Sequence, residues 1–220
     1  MFVVKGRKTE EISAAEFTLL ANNFKKVVID LGTGDGKFAV KNALKNTEEL
    51  WIGVDPSETG LRIGSREIQR KKITNALLVV GSVEQLPDEF NGVADEVYVN
   101  FPWGSLLETF AKPVKENLSE IYGILKVGGL INVIFGYSKV SEPSEVERLL
   151  LPDLSKEYIN NFLKPEYAKI GLDINQFGRL DEFDNPDKIA ETSWKKRLKN
   201  PPEKPKSGKR EWFFMKIIKI

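Results

Sequence analysis

Short apolar runs recur along the chain with room for one helix between most neighbouring pairs. Val27-Val28-Ile29 sits in a strand expected over Lys26 to Leu31, followed by a glycine-rich turn and a helix-compatible segment, Lys37 to Lys45. Leu50 to Asp55, Leu77 to Gly81, Asp95 to Val99 and Leu130 to Phe135 repeat the theme. Near-continuous apolar strands alternating with helical segments are what a parallel sheet covered on both faces requires. Helices are expected from a cap near Ser13 to about Asn22, over Glu58 to about Lys72, Glu108 to Leu125 with Val127-Gly128-Gly129 as its exit, and Tyr158 to Ile170. Leu172 to Phe177 and Trp212 to Ile218 close the chain as strands without a clearly periodic helix between them, which predicts an antiparallel last strand. Met1 to Val4 and the charged Lys5 to Lys8 add a short N-terminal strand and turn. The pattern predicts one α/β domain over residues 1–220, with a seven-stranded, mostly parallel sheet. Stretches of about 136–155 and 181–210, the second ending in Pro- and Lys-rich sequence, read as insertions and not as a second domain.

A chain of 220 residues buries roughly 70% of its unfolded surface in one core. With 33 basic and 32 acidic residues the net charge is +1, so affinity for a polyanion has to come from local clusters. The informative absence is of cysteine and histidine together. Disulfides, Cys or His zinc sites, cysteine nucleophiles and imidazole bases are excluded, and with them covalent cytosine-C5 methylation. No apolar run reaches membrane-spanning length, so a soluble cytoplasmic protein is expected, with no membrane partner.

Chemistry concentrates at Asp30-Leu31-Gly32-Thr33-Gly34-Asp35-Gly36. Glycines at alternate positions let a turn take positive φ and bring its backbone against a ligand. The spacing is not that of a dinucleotide loop, whose third glycine would fall at Lys37. It resembles motif I of class I S-adenosylmethionine (SAM) methyltransferases, in which a leading acid suits the ammonium group that SAM has and NAD lacks. Asp55, followed by Pro56, ends the second strand 19 residues beyond Gly36, a position suited to ribose hydroxyls. Ser82, Val83 and Glu84 stand at the C-terminal end of the third strand, where ligands of open α/β sheets sit. Asn100-Phe101-Pro102-Trp103 follows the fourth, with Trp103 expected to project into the cleft facing the glycine loop. Arg62, Arg66 and Arg70 share one helix face, extended by Lys71 and Lys72; same-sign spacing is mildly unfavourable, and phosphates would repay it.

These features, with Leu106-Leu107-Glu108 and Ser193-Trp194 followed by Lys196-Arg197-Leu198, resemble the aminoglycoside-resistance 16S rRNA adenine-N1 methyltransferases, the Kam family, over nearly the full length. The resemblance implies a Rossmann-like class I SAM methyltransferase fold and methyl transfer from SAM, leaving S-adenosylhomocysteine. The implied acceptor is N1 of the decoding-site adenine in helix 44 of the 30S subunit. It implies that Trp103 and Trp194, supported by Phe101 and Pro102, receive the flipped base. It further implies SAM contacts from Asp30, Gly32, Thr33, Gly34, Gly36, Asp55, Pro56, Ser82, Val83, Glu84, Asn100, Leu106 and Ser193. RNA contacts would come from Arg62, Arg66, Arg70, Lys71, Lys72, Lys196, Arg197, Lys209 and Arg210. A monomer without a metal is expected. The segment Asn200 to Ser207 departs from the family in being longer and richer in proline. One rival is an adenine-N6 methyltransferase, since Asn100 to Trp103 partly imitates an Asn-Pro-Pro-aromatic motif that Phe101 breaks. The others are methylation of another RNA such as tRNA, a small-molecule methyltransferase, and a noncatalytic SAM or RNA module.

Overall fold

The structure is a computed structural model and describes residues 1–140, 142–180 and 212–220. Among the described residues nine strands form one sheet in the order β2-β1-β5-β4-β3-β6-β7-β9-β8. They are β1 (Phe2–Lys5), β2 (Lys8–Glu11), β3 (Lys26–Leu31), β4 (Glu49–Asp55), β5 (Ala76–Val80), β6 (Ala94–Asn100), β7 (Leu125–Phe135), β8 (Leu172–Arg179) and β9 (Phe213–Lys219). The five central strands, β5-β4-β3-β6-β7, run parallel, while β9 is antiparallel to both β7 and β8. These are the seven expected strands. The expected N-terminal strand and turn is a full hairpin, β1–β2, whose first strand pairs antiparallel with β5 and lengthens the sheet to nine.

Helices pack on both faces of the sheet, and β3 and β4 at its centre are buried and apolar along most of their length. Helices α2 (Lys37–Lys45) and α3 (Glu58–Lys71) lie on one face, where Ala39, Ala43 and Leu61 meet Val28, Trp51 and Leu78. On the other, α1 (Ala14–Ala21), α4 (Gly104–Ala111), α5 (Lys115–Ile124) and α6 (Pro143–Leu149) bring Phe17, Phe110, Leu118 and Val146 against Ile29, Val97 and Ile131. Ser13 caps α1 in a reciprocal box with Glu16. Lys156–Tyr158, Ile159–Leu163 and Lys164–Ala168 follow as one helical rod, π-helical in its middle segment.

Two expectations are corrected here. The single helix over Glu108 to Leu125 is two helices, because Pro113 lacks an N–H and its ring crowds the preceding turn. The exit at Val127-Gly128-Gly129 is instead part of β7, which starts at Leu125 opposite Ala94 and shifts register before Leu130 pairs with Glu96. The stretch of about 136–155 contains α6, and that of 181–210 lies outside the described residues.

Candidate active site

The order of strands reverses beside β3, with β4 and β5 on one side and β6 and β7 on the other. At such a switch point the loops leaving adjacent strands diverge and open a crevice. Here it is a cleft of about 350 Å³, walled by the β3–α2 glycine loop, the end of β4 and the β6–α4 loop.

The glycine loop is shaped by steric necessity. Gly32, Gly34 and Gly36 all have positive φ, of 72°, 62° and 73°. A Cβ on Gly36 would lie 2.7 Å from the Leu78 side chain, and one on Gly32 2.8 Å from Leu106, so two of the three also lack room for a side chain. Asp55 fastens the loop to the end of β4: its Oδ2 accepts the Gly34 N–H at 2.8 Å, and its Oδ1 accepts the Ser57 N–H at 2.8 Å. Ser57 caps α3, its hydroxyl accepting the Gly60 N–H. The first residues of α3 then back directly onto the loop. A Cβ on Gly60 would be 2.8 Å from the Gly34 carbonyl oxygen, and one on Gly64 2.7 Å from that of Asp35. Neither glycine stands out in the apolar pattern of the chain. Their signal was present as a pair four residues apart, one turn of the helix that carries the arginines.

Asp30, one residue from the end of β3, lies at the cleft floor with 2% of its surface exposed. Burial pushes its carboxyl up to about 7, against the downward pull of hydrogen bonds from Thr33 and Asn100; the negative fields of Asp55 and Asp35 add to the rise. The Thr33 hydroxyl donates to Oδ2, and the Asn100 amide nitrogen stands 3.4 Å from Oδ1. Asn100 is itself buried, and its Oδ1 has no hydrogen-bond partner. Among the described residues the Asp30 carboxyl has no cation beside it and the Asn100 Oδ1 no donor, and together they form a site complementary to an ammonium group.

The opposite wall is the β6–α4 loop. Phe101 adopts φ 54°, unusual for a side-chain-bearing residue and more so before proline. Its N–H donates to the Ile134 carbonyl at 2.7 Å, and its ring meets Trp212 edge-on at 4.9 Å. Pro102 is buried, which leaves the Trp103 side chain at the cleft with 45% of its surface exposed. That is where it was expected.

Pro56, Ser82, Val83 and Leu106 also line the cleft. Glu84 does not: its carboxylate accepts hydrogen bonds from Ser105 and Ser82, which hold it below the usual carboxylate range and bridge the β5 loop to the start of α4. Lys37 and Phe38 line the cleft without having been singled out. The basic face of α3 is partly neutralised from within, since Arg62 pairs with Glu58 at 2.8 Å and Lys71 with Glu67 at 2.6 Å. Phosphate is thus not needed to explain those two, while Arg66, Arg70 and Lys72 are exposed. Ser193, Trp194, Lys196, Arg197, Lys209 and Arg210 lie outside the described residues.

A family model described as NpmA, 16S rRNA (adenine(1408)-N(1))-methyltransferase, matches residues 2–207. An Escherichia coli protein of that description is 34% identical over 203 residues, covering 90% of this chain and 92% of its own. Two crystal structures superpose along the whole of both chains. A 30S ribosomal A1408 methyltransferase from an uncultured bacterium does so at 36% identity and TM-score 0.76, and the aminoglycoside resistance methyltransferase NpmB1 at 30% and 0.81. With a methyltransferase sheet, a cleft at its switch point and a match over nearly every residue, the chain belongs to the 16S rRNA (adenine(1408)-N(1))-methyltransferase family.

Proposed function

We propose that the protein transfers a methyl group from SAM to N1 of adenine 1408, in helix 44 of the 30S subunit, and so confers aminoglycoside resistance. What carries the reading is the exposed Trp103 at the mouth of a cleft whose floor offers Asp30, Asp55 and glycine backbone. The site's donors and acceptors fit SAM. Asp30 and the unpartnered Asn100 Oδ1 suit its ammonium group, Asp55 its ribose hydroxyls, and the Gly32 to Gly34 backbone allows close approach. When bound, SAM supplies an electrophilic methyl on a sulfonium.

The chain's own task is then to receive and align the base. Adenine N1 is occupied by pairing in a duplex, so the base has to leave the stack at a cost of a few kcal/mol. Stacking on an aromatic side chain returns about 1–3 kcal/mol, which makes Trp103 a sufficient partner for most of it and a second indole, Trp194, for the rest. N1 has a free lone pair, so no residue needs to take a proton before attack, in keeping with a chain that has no histidine. Catalysis then consists of holding N1 in line with the transferred methyl. Methylation leaves the ring cationic, and an indole face binds a cationic ring better than a neutral one, so Trp103 favours the transition state over the ground state. The protein acts as a cytoplasmic monomer in this reading.

The unpartnered Asn100 Oδ1 favours a second reading, methylation of the exocyclic N6 amine, which it would accept as a donor. One experiment separates them. Labelled SAM is offered to 30S subunits, naked 16S rRNA and tRNA, and the product is read by reverse transcription across helix 44. An N1 mark blocks Watson–Crick pairing and stops the transcriptase at adenine 1408; label without a stop favours N6, and label in tRNA alone refutes the substrate.

A further inference from the structure

The N-terminal hairpin forms no part of the cleft, yet it is fastened to α3 at two places. At its turn, the buried Ser65 hydroxyl accepts the Gly6 N–H at 2.6 Å and donates to the Val4 carbonyl at 2.7 Å. Further along, the Thr9 hydroxyl donates to Glu58 Oε1 at 2.8 Å. Gly6, at φ 68°, sits so close to Gln69 that a Cβ would fall 2.3 Å from its Oε1. Glu58, Ser65 and Gln69 are seven and four residues apart and therefore occupy one stripe of the helix. Arg62 completes that stripe, and Arg66 and Arg70 follow the adjacent one.

The hairpin thus lies along α3, with Gly6 of its turn against Ser65 and Gln69, the neighbours in sequence of Arg66 and Arg70, and with Arg7 and Lys8 following Gly6. All four cations are exposed. Lys5, Arg62 and Lys71 have Glu10, Glu58 and Glu67 as ion-pair partners, whereas among the described residues no carboxylate pairs with Arg7, Lys8, Arg66 or Arg70. Converging like charges oppose folding slightly, and a polyanion reverses the sign of that contribution. The position also suits one. Helix α3 starts at the cleft, where Gly60 backs onto the glycine loop, and its 14 residues reach about 21 Å from it at 1.5 Å per residue.

We infer that Arg7 of the hairpin turn and Lys8 at the start of β2 join Arg66 and Arg70 in one phosphate-binding face, which grips the backbone of the substrate RNA beside the base held in the cleft. The inference rests on the rRNA reading above and adds the hairpin to the docking surface. Ser65 and Thr9 are the positioning residues that hold the hairpin in place.

The test compares the full-length chain with its Arg7→Glu/Lys8→Glu variant for binding to 30S subunits over a series of salt concentrations, with methylation kinetics and SAM affinity measured alongside. The variant is expected to bind 30S at least about tenfold more weakly near physiological salt, with a log–log salt slope shallower by about two, one for each lost phosphate contact. SAM affinity should stay unchanged, and Arg7→Lys/Lys8→Arg should behave as wild type. Unaltered 30S affinity and slope would overturn the inference. So would an equal loss of SAM affinity, which would make the hairpin's role structural. A wild-type chain that binds 30S without methylating it would sink the substrate reading alone, since the salt slope still reads the hairpin.

Discussion

The two loops that face each other across the cleft leave neighbouring parallel strands, β3 and β6, but they are built on opposite principles. The glycine loop is defined by what it lacks: side chains on its Gly32 and Gly36, or on Gly60 and Gly64 of α3 behind it, would strike neighbours within 3 Å, in the last two cases the loop's own backbone carbonyls. The β6–α4 loop is defined by what it presents. It holds Phe101 at φ 54° to aim Trp103, and its own Gly104, at φ 58°, has nothing within 4 Å of where a Cβ would stand. The first is a backbone mould with no room for a side chain at Gly32 or Gly36, open only at Gly34. The second is a side-chain platform whose cost is conformational strain.

The largest effect is expected at Asp30, where the mould carries its one buried charge. Asp30→Asn removes the carboxylate facing the ammonium group, and truncating one partner of a buried pair costs about 3 kcal/mol, on the order of hundredfold in SAM affinity by calorimetry. The same variant should raise the stability of the cofactor-free protein. Its folded carboxyl titrates near 7 and an unfolded one near about 4, so between these values the folded state holds a proton that the unfolded state has released. Stability therefore falls as pH rises through that window, and Asp30→Asn should melt above wild type at pH 8 but not below about pH 4. SAM binding near neutrality should release a proton, visible as a dependence of the calorimetric enthalpy on buffer. An Asn variant that keeps its SAM affinity would leave Asp30 a purely structural residue.

Next come Gly60→Ala and Gly64→Ala. Alanine in a helix gains up to about 1 kcal/mol over glycine, yet forcing a methyl against a carbonyl oxygen costs about 1–3 kcal/mol. The clash should win, lowering both the melting temperature and SAM affinity; a stabilised Gly64→Ala would show that α3 does not shape the loop. Trp103→Leu should leave SAM affinity and stability near wild type while lowering the single-turnover rate at saturating 30S about tenfold, the loss of one base stack. A pure affinity loss for 30S would remove the transition-state role. The smallest effect belongs to Gly104→Ala, about 1 kcal/mol of stability from the left-handed backbone alone, with SAM binding untouched. Were it instead to abolish binding, the loop would be a mould after all.

The alternation of apolar runs and helical segments is enough to place the starts of six of the seven core strands within one residue, and that of β7 within five, because each run has to bury itself whatever its neighbours do. The glycine loop and its leading acid were legible for the same reason, since positive φ is a local demand. Helix α5 is not separable in the apolar pattern, which runs on across Pro113, and only the proline itself marks the break. Gly60 and Gly64 do not stand out because what makes them necessary, the Gly34 and Asp35 carbonyls, lies some 26 to 29 residues away in the chain, as the numbering gives. Thus the chain's own order of residues determined the strands, the nucleotide-type loop and the absence of imidazole and thiol chemistry. Only the tertiary structure decided that Asp30 is buried against Asn100 with its proton affinity raised, that two of the α3 cations are already spent on glutamates, and that the hairpin lies along that helix. These depend on desolvation and on contacts between residues distant in sequence, and neither is written in a local pattern.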